Sequence, residues 1–141
     1  MKDLNQAKKV LNEKNYTCVL CQDDMLFTST RRGVAPLIAC IENEQSYSAF
    51  SAADKVVGKA TAFLYVLLGV KAVYARVISK AAIQVLNEHA IFVEYDALVE
   101  NIINRQGDGI CPFEAAVLDV IEPTLAYKTI RQKMSEMNIE I

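Results

Sequence analysis

The sequence predicts an α/β fold, in which a mixed sheet of four or five strands carries helices on both faces. Three observations indicate this fold. A hairpin pattern near the N-terminus is followed by alternating helix and strand patterns. Two later strands flank a helix in the order that gives a right-handed parallel crossover. Hydrophobic residues make up 52% of the 141 residues, which suits a packed core in one domain spanning residues 1–141.

The first third of the chain alternates between helical and strand periodicity. Gln22-Asp23-Asp24 suits a tight turn between two short segments rich in strand-forming residues. Pro36 is favoured in the first turn of a helix. These patterns predict a helix over residues 2–14, a hairpin of strands at 16–21 and 25–29, and a short helix within 33–41.

The strongest helical pattern runs from Ser51 to Leu68. Its apolar residues recur every three or four positions, and Gly69 is a natural C-terminal stop. Ser51 and Asp54 fit a capping box, in which Ser51 accepts a backbone N–H bond and Asp54 lies in the positive first turn. The sequence therefore predicts one helix over residues 51–68.

The second half of the chain predicts a parallel strand–helix–strand unit followed by three helices. Ser79 is the expected cap of the first helix, and Asp96 suits the cap of a later one. The predicted elements are strands at 70–77 and 90–95 around a helix at 79–88, a helix at about 98–103, a loop at Gly107-Asp108-Gly109, and helices at 112–121 and 123–137.

Composition argues against several classes of function. With 15 basic and 17 acidic residues the chain has a net charge of −2, so it lacks the basic excess of a nucleic-acid-binding protein. The longest apolar stretch spans residues 60–70, whereas a membrane helix needs about 20 residues. The N-terminus lacks the apolar core of a signal peptide. We therefore expect a cytoplasmic protein with free cysteines and neither nucleic-acid nor membrane partners.

We expect no catalytic or metal-binding role for two familiar sequence patterns. Cys18 and Cys21 have a spacing that can bind zinc or shuttle disulfides, but residues three apart in a strand point to opposite faces. His89 is the only histidine and falls at a predicted helix C-terminus, where a cation is favoured. We expect neither a metal site nor a cofactor.

Ser51, Asp54, Lys55, Gly58 and Lys59 form the first candidate ligand site. Helix N-termini bind anions through free N–H groups, and one helical turn separates the two lysines. Gly58 would permit close approach of a ligand. The alternative is that these residues only cap the helix, which stabilises it by about 1 kcal/mol.

Cys111-Pro112-Phe113-Glu114 is the second candidate, because a thiolate is stabilised at a helix N-terminus. An ordinary half-buried cysteine is the alternative. Arg31 and Arg32 before Gly33 can grip a phosphate or carboxylate, and a solvated loop is the alternative there.

Two segments carry a resemblance to a known family. Ser-Ala-Ala-Asp-Lys-Val-Val-Gly-Lys-Ala at 51–60 and Gly-Asp-Gly-Ile-Cys-Pro-Phe-Glu at 107–114 resemble a bacterial family of unknown function, grouped with the cytidine-deaminase-like fold. The resemblance covers nearly the whole chain and implies a three-layer α-β-α fold with about five strands. Zinc deaminases carry His-x-Glu or Cys-x-Glu and Pro-Cys-x-x-Cys at two helix starts. The sequence departs from both motifs, so the resemblance implies the fold and the site but not deamination.

The leading hypothesis is a small polar or anionic, nucleotide-like metabolite bound between the two candidate segments. If the protein is catalytic, Cys111 is the candidate nucleophile, Asp54 or Glu114 the acid/base, and Lys55 stabilises negative charge. The alternatives are a non-catalytic binding or regulatory module that forms a homodimer, and a thiol redox sensor that uses Cys111. The sequence leaves open whether the protein is an enzyme.

Overall fold

A computed structural model describes residues 1–43 and 45–140. In these residues the chain forms one five-stranded sheet and six helices. In chain order the elements are α1 (Lys2–Lys14), β1 (Cys18–Gln22), β2 (Met25–Ser29), α2 (Ala35–Glu42), β3 (Ser51–Val57), α3 (Lys59–Leu68), β4 (Ala72–Ser79), α4 (Lys80–Glu88), β5 (Phe92–Val99), α5 (Pro112–Ala116) and α6 (Pro123–Glu136).

The sheet is mixed and has the strand order β2-β1-β3-β4-β5. Strand β1 is antiparallel to both of its neighbours, whereas β3, β4 and β5 are parallel to one another. Helix α1 covers one face, and the other helices pack on the opposite face. This arrangement confirms the predicted three-layer α/β fold and the parallel pairing of the two strands that flank α4.

Side chains of the central strands are buried on both faces of the sheet. Helix α1 closes a small core on one face, and a larger core lies beneath α2, α3, α4 and α6. Cys18 belongs to the larger core and Cys21 to the smaller one, which confirms that the two thiols point to opposite faces. All four cysteines are free thiols, as predicted.

Several predicted elements form as expected, because their sequences carry local start and stop residues. The hydroxyl of Ser79 accepts a hydrogen bond from the N–H of Ala82 at 3.2 Å and caps α4. Gly69 ends α3 in the left-handed conformation with φ 76°, which a residue without a Cβ adopts readily. Helix α1, the hairpin, the short helix at Pro36 and helix α6 are likewise confirmed.

The predicted helix over residues 51–68 is wrong in its first half. Residues 51–57 form β3, Gly58 is the N-cap of α3, and Ser51 and Asp54 therefore lie in a strand instead of a capping box. Strand β3 is central and covered on both faces, so its residues are small and buried without the polar–apolar alternation of a half-exposed strand. Because polar–apolar alternation is missing in β3, its apolar residues have the same spacing as those of α3, and the sequence pattern predicted one continuous helix.

Two further helices differ from the prediction. The predicted helix at 98–103 is wrong, because β5 stays paired with β4 as far as Val99 and a β-bridge then joins Ile103 to Ile110. The predicted helix at 112–121 ends at Ala116. Glu122 precedes a proline and is extended, so a helix cannot run directly into α6. No helix among the described residues is long and apolar enough to cross a membrane.

Candidate functional site

A cavity of about 360 Å³ opens beside the C-terminal end of β3. The segment before α2, the start of α3 and the segment after β5 complete its wall. Ligands of α/β proteins commonly bind outside the carboxyl ends of the parallel strands, where this cavity lies. It brings together six of the predicted site residues: Arg31, Arg32, Asp54, Lys55, Gly58 and Glu114.

Asp54 is an acidic group of this cavity that lies almost completely inside the protein. Its side chain is almost buried, with a residue exposure of 9%. One carboxylate oxygen accepts a hydrogen bond from the Tyr65 hydroxyl at 2.6 Å, and the other accepts one from the Val56 N–H at 3.2 Å. Burial raises the pKa of Asp54 to about 7, although these hydrogen bonds oppose the rise.

Tyr65 joins Asp54 to Cys18 inside the core. Its hydroxyl lies 3.4 Å from the Cys18 thiol, and Cys18 is paired with Asp54 across strands β1 and β3. Burial and the nearby Asp54 carboxylate raise the pKa values of both Tyr65 and Cys18 well above their usual ranges. Both groups therefore remain protonated at neutral pH, and Asp54 is the one that can exchange a proton.

The side chain of Glu114 caps the N-terminus of α3, although Glu114 lies 55 residues beyond Lys59 in the sequence. Its two carboxylate oxygens accept hydrogen bonds from the backbone N–H groups of Lys59 at 2.9 Å and Ala60 at 3.0 Å. A Cβ atom at Gly58 would overlap the Glu114 carboxylate, so this contact requires glycine at position 58. The N-terminal groups of α3, which could bind a ligand anion, are thus satisfied by the chain's own carboxylate.

Three exposed arginines line the cavity: Arg31, Arg32 and Arg105. Arg31 donates a hydrogen bond to the backbone oxygen of Glu140. Arg32 and Arg105 take part in none of the ion pairs within residues 1–43 and 45–140. Guanidinium groups bind phosphate and carboxylate through two parallel hydrogen bonds, so this wall can receive an anion.

Comparison with known proteins places the chain in a family. The family described as TM1506, domain of unknown function (DUF1893), matches residues 6–134. The chain belongs to the DUF1893 family. A crystal structure of a DUF1893 family protein, TM1506 from Thermotoga maritima, is similar with a TM-score of 0.87 and 26% identity, covering 94% of this chain and 90% of that chain. No curated protein matches this chain.

These matches confirm the coarser part of the predicted resemblance. The family has no known function, and it has a member in the bacterium Thermotoga maritima. The site must therefore be interpreted from its own chemistry.

Three predicted site residues of this DUF1893 chain lie outside the cavity wall. Ser51 is buried on the opposite face of β3, and its hydroxyl has no hydrogen-bond partner among the described residues. The ammonium group of Lys59 donates to the backbone oxygen of Leu118 at 2.7 Å. Cys111 is half-buried just before α5. Lys55 does line the cavity, but its ammonium group lies 3.3 Å from the Asn15 side chain.

Sequence reasoning missed Arg105, Tyr65 and Cys18 as members of this site. Arg105 lies in a loop whose path depends on the bridge after β5, and Tyr65 resembles any apolar residue of a buried helix. Cys18 lies in the larger core, where a buried cysteine behaves as a small apolar residue. Within the described residues, no three His, Cys, Asp or Glu side chains are grouped as a metal ion would require.

Proposed function

We propose that the cavity beside β3 binds a small polar or anionic metabolite of nucleotide-like size and charge. The observation that supports this proposal is one cavity of about 360 Å³ that holds both a buried acid, Asp54, and a wall of exposed arginines. Small-molecule sites are typically concave, with a few convergent polar groups on a largely apolar lining.

The two kinds of polar group have different roles in the proposed complex. Arg32 and Arg105 bind the anionic group of the ligand, since no carboxylate of the described residues neutralises them. Asp54 exchanges a hydrogen bond with a polar group at the other end of the ligand. Glu114 holds α3 in place and leaves ligand binding to the other residues, because both of its oxygens accept backbone bonds.

The same geometry supports a catalytic version of the proposal, in which Asp54 moves the proton. A general acid or base works best with a pKa near the operating pH, and burial places the pKa of Asp54 at about 7. We assign this acid/base role to Asp54 in preference to Glu114, whose two oxygens both accept backbone hydrogen bonds. Cys111 does not belong to the cavity wall, so we do not propose it as the nucleophile.

The five-stranded mixed sheet and the meeting of two helix starts, α2 and α3, at one cavity support the proposal of a cytidine-deaminase-like fold. The residues around the cavity do not fit the zinc ion of that fold. Cys18 is hydrogen-bonded and protonated, and the oxygens of Glu114 are occupied. Zinc is bound by several thiolate, imidazole or carboxylate donors together, and no three such side chains of the described residues are grouped as a metal ion would require. We therefore propose no deamination.

The free cysteines support a cytoplasmic location.

Thermal unfolding with nucleoside monophosphates, sugar phosphates and dicarboxylates tests ligand binding. We expect one class to stabilise the chain by about 2.7 kcal/mol at a hundredfold excess over its Kd, seen as a rise in Tm of several degrees. Asp54→Asn and the double variant Arg32→Ala/Arg105→Ala should lose this rise.

Arg76→Ala is the matched control. Arg76 donates two hydrogen bonds to Asn12 of α1, on the other face of the sheet. The Arg76→Ala variant should therefore show the same ligand-induced rise in Tm as the unmodified chain. Absence of stabilisation by every class, or equal loss in Arg76→Ala, would contradict the proposal.

A further inference from the structure

A second cavity of about 740 Å³ adjoins the first one. We refer to the cavity at Asp54 as the inner cavity and to this one as the outer cavity. Residues 31–34, Arg105 and Phe113 belong to the walls of both. Met137 and Ile139 form part of the far wall of the outer cavity, and the hydrogen bond from Arg31 to Glu140 joins that C-terminal segment to the shared wall. The two cavities are therefore neighbouring parts of one depression.

The outer cavity differs from the inner one in its chemistry. Most of its wall is apolar, and no carboxylate of the described residues belongs to it. Its apolar side chains are Val34, Ala35, Pro112, Phe113, Met137 and Ile139. An organic group placed there would lose apolar surface to the protein, which is favourable in proportion to the area buried.

The charges fix where an anion would lie along this depression. Asp54 and Glu114 both belong to the inner cavity, so an anion deep in that cavity would face two acidic groups. The arginines lie on the shared wall, between these acids and the apolar outer wall. The most favourable position for an anionic group is therefore the shared wall.

We propose that the two cavities form one site for an organic phosphate. Its phosphate group lies at Arg31, Arg32 and Arg105, an apolar part fills the outer cavity, and the polar end that meets Asp54 enters the inner cavity. This inference rests on the proposed anion site of the inner cavity and adds the ligand class. A phosphate presents several acceptor oxygens and so can meet more than one guanidinium at once.

Calorimetric titration of the full chain with two probes, inorganic phosphate and phenyl phosphate, tests the inference. We expect phenyl phosphate to bind about tenfold more tightly, because only it reaches the apolar wall. Its ring should shift the NMR signals of the Ile139 methyl groups, whereas inorganic phosphate should not. Arg32→Ala should weaken both probes.

Met137→Ser isolates the contribution of the outer wall. We expect it to weaken phenyl phosphate by about fourfold, the effect of one buried methylene group, and to leave inorganic phosphate unchanged. Met137 is 41% exposed, so the variant should fold. Met25→Ser is the matched control, since Met25 is 49% exposed on β2 and lies outside both cavity walls.

The outcomes separate the two proposals. Equal affinities for the two probes, both lost in Arg32→Ala, would overturn the role of the outer cavity and leave the anion site standing. An unchanged phenyl phosphate affinity in Met137→Ser would also overturn that role. If neither probe binds, the inference and the arginine anion site are both wrong, whereas ligand binding at Asp54 alone would remain measurable by thermal unfolding.

Discussion

The two faces of the sheet each contain a hydrogen bond from a buried tyrosine to an aspartate. On the cavity face, Tyr65 donates to Asp54, and on the α1 face, Tyr74 donates to Asp96. Both tyrosines are almost completely buried, but Asp54 is 9% exposed, whereas Asp96 is exposed on the edge strand β5. Burial raises the pKa of Tyr74 to about 12, and it raises the pKa of Asp54 to about 7. The comparison teaches that burial, and not the tyrosine hydrogen bond, raises the pKa of Asp54, because that hydrogen bond acts to lower it.

The faces also differ in how they satisfy other buried polar groups. On the cavity face, both oxygens of Glu114 accept backbone hydrogen bonds. On the α1 face, the hydroxyl of Ser51 is buried without a partner among the described residues. Loss of a polar group should therefore have opposite effects on stability on the two faces.

The largest expected effect is the pH dependence due to Asp54. Its folded pKa of about 7 lies above the unfolded value of about 4, so the folded chain holds the proton over this range. The free energy of unfolding should fall by about 4 kcal/mol in total as the pH rises from below 4 to above 8, because deprotonation in the folded chain continues through its pKa of about 7, and the fall should level off above about pH 8. Urea unfolding between pH 4.5 and 8.5 measures it.

Asp54→Asn should remove this component, because the amide does not ionise but its oxygen still accepts the Tyr65 hydroxyl. A profile of Asp54→Asn that parallels the wild type would contradict the assignment of this pH dependence to Asp54.

Glu114→Ala should cost about 2–3 kcal/mol, because it leaves the N–H groups of Lys59 and Ala60 without their charged acceptor. The control is Glu122→Ala. Glu122 also stands at a helix start, that of α6, but it is exposed and forms no side-chain cap bond, so its loss should be close to neutral. Denaturant midpoints measure both variants, and equal losses would refute the special role of Glu114.

Ser51→Ala should have the smallest effect, an increase of about 1 kcal/mol in the free energy of unfolding, because it removes a buried hydroxyl without a partner. Ser79→Ala should change stability by a similar amount in the other direction, since Ser79 caps α4. Thermal unfolding of the two variants compares them directly. A loss of stability in Ser51→Ala would show that its hydroxyl does have a partner.

Prediction from sequence succeeded for helices that begin or end at a characteristic capping residue. Ser79 begins α4 and Gly69 ends α3, and both act through the nearest backbone groups. It failed for β3, whose Ser-Ala-Ala start has no strand-forming residues and whose strand character depends on pairing with β1 and β4. Prediction of the site residues was limited in the same way, because their roles depend on tertiary contacts. Asp54 and Glu114 stood out as titratable residues, but their different roles depend on Tyr65 and on the start of α3.

The resemblance of the sequence to a known family indicated the two segments that meet near the start of α3. The sequence by itself determined the α/β class and the free thiols. These properties depend on composition, on periodicity and on short-range caps, which act over a few residues. Only the tertiary structure decided that Ser51 is a buried strand residue, that Glu114 caps α3, and that Arg105 joins Arg31 and Arg32. The physical reason is that burial and hydrogen-bond partners depend on contacts between distant parts of the chain, and at Asp54 these contacts set the pKa.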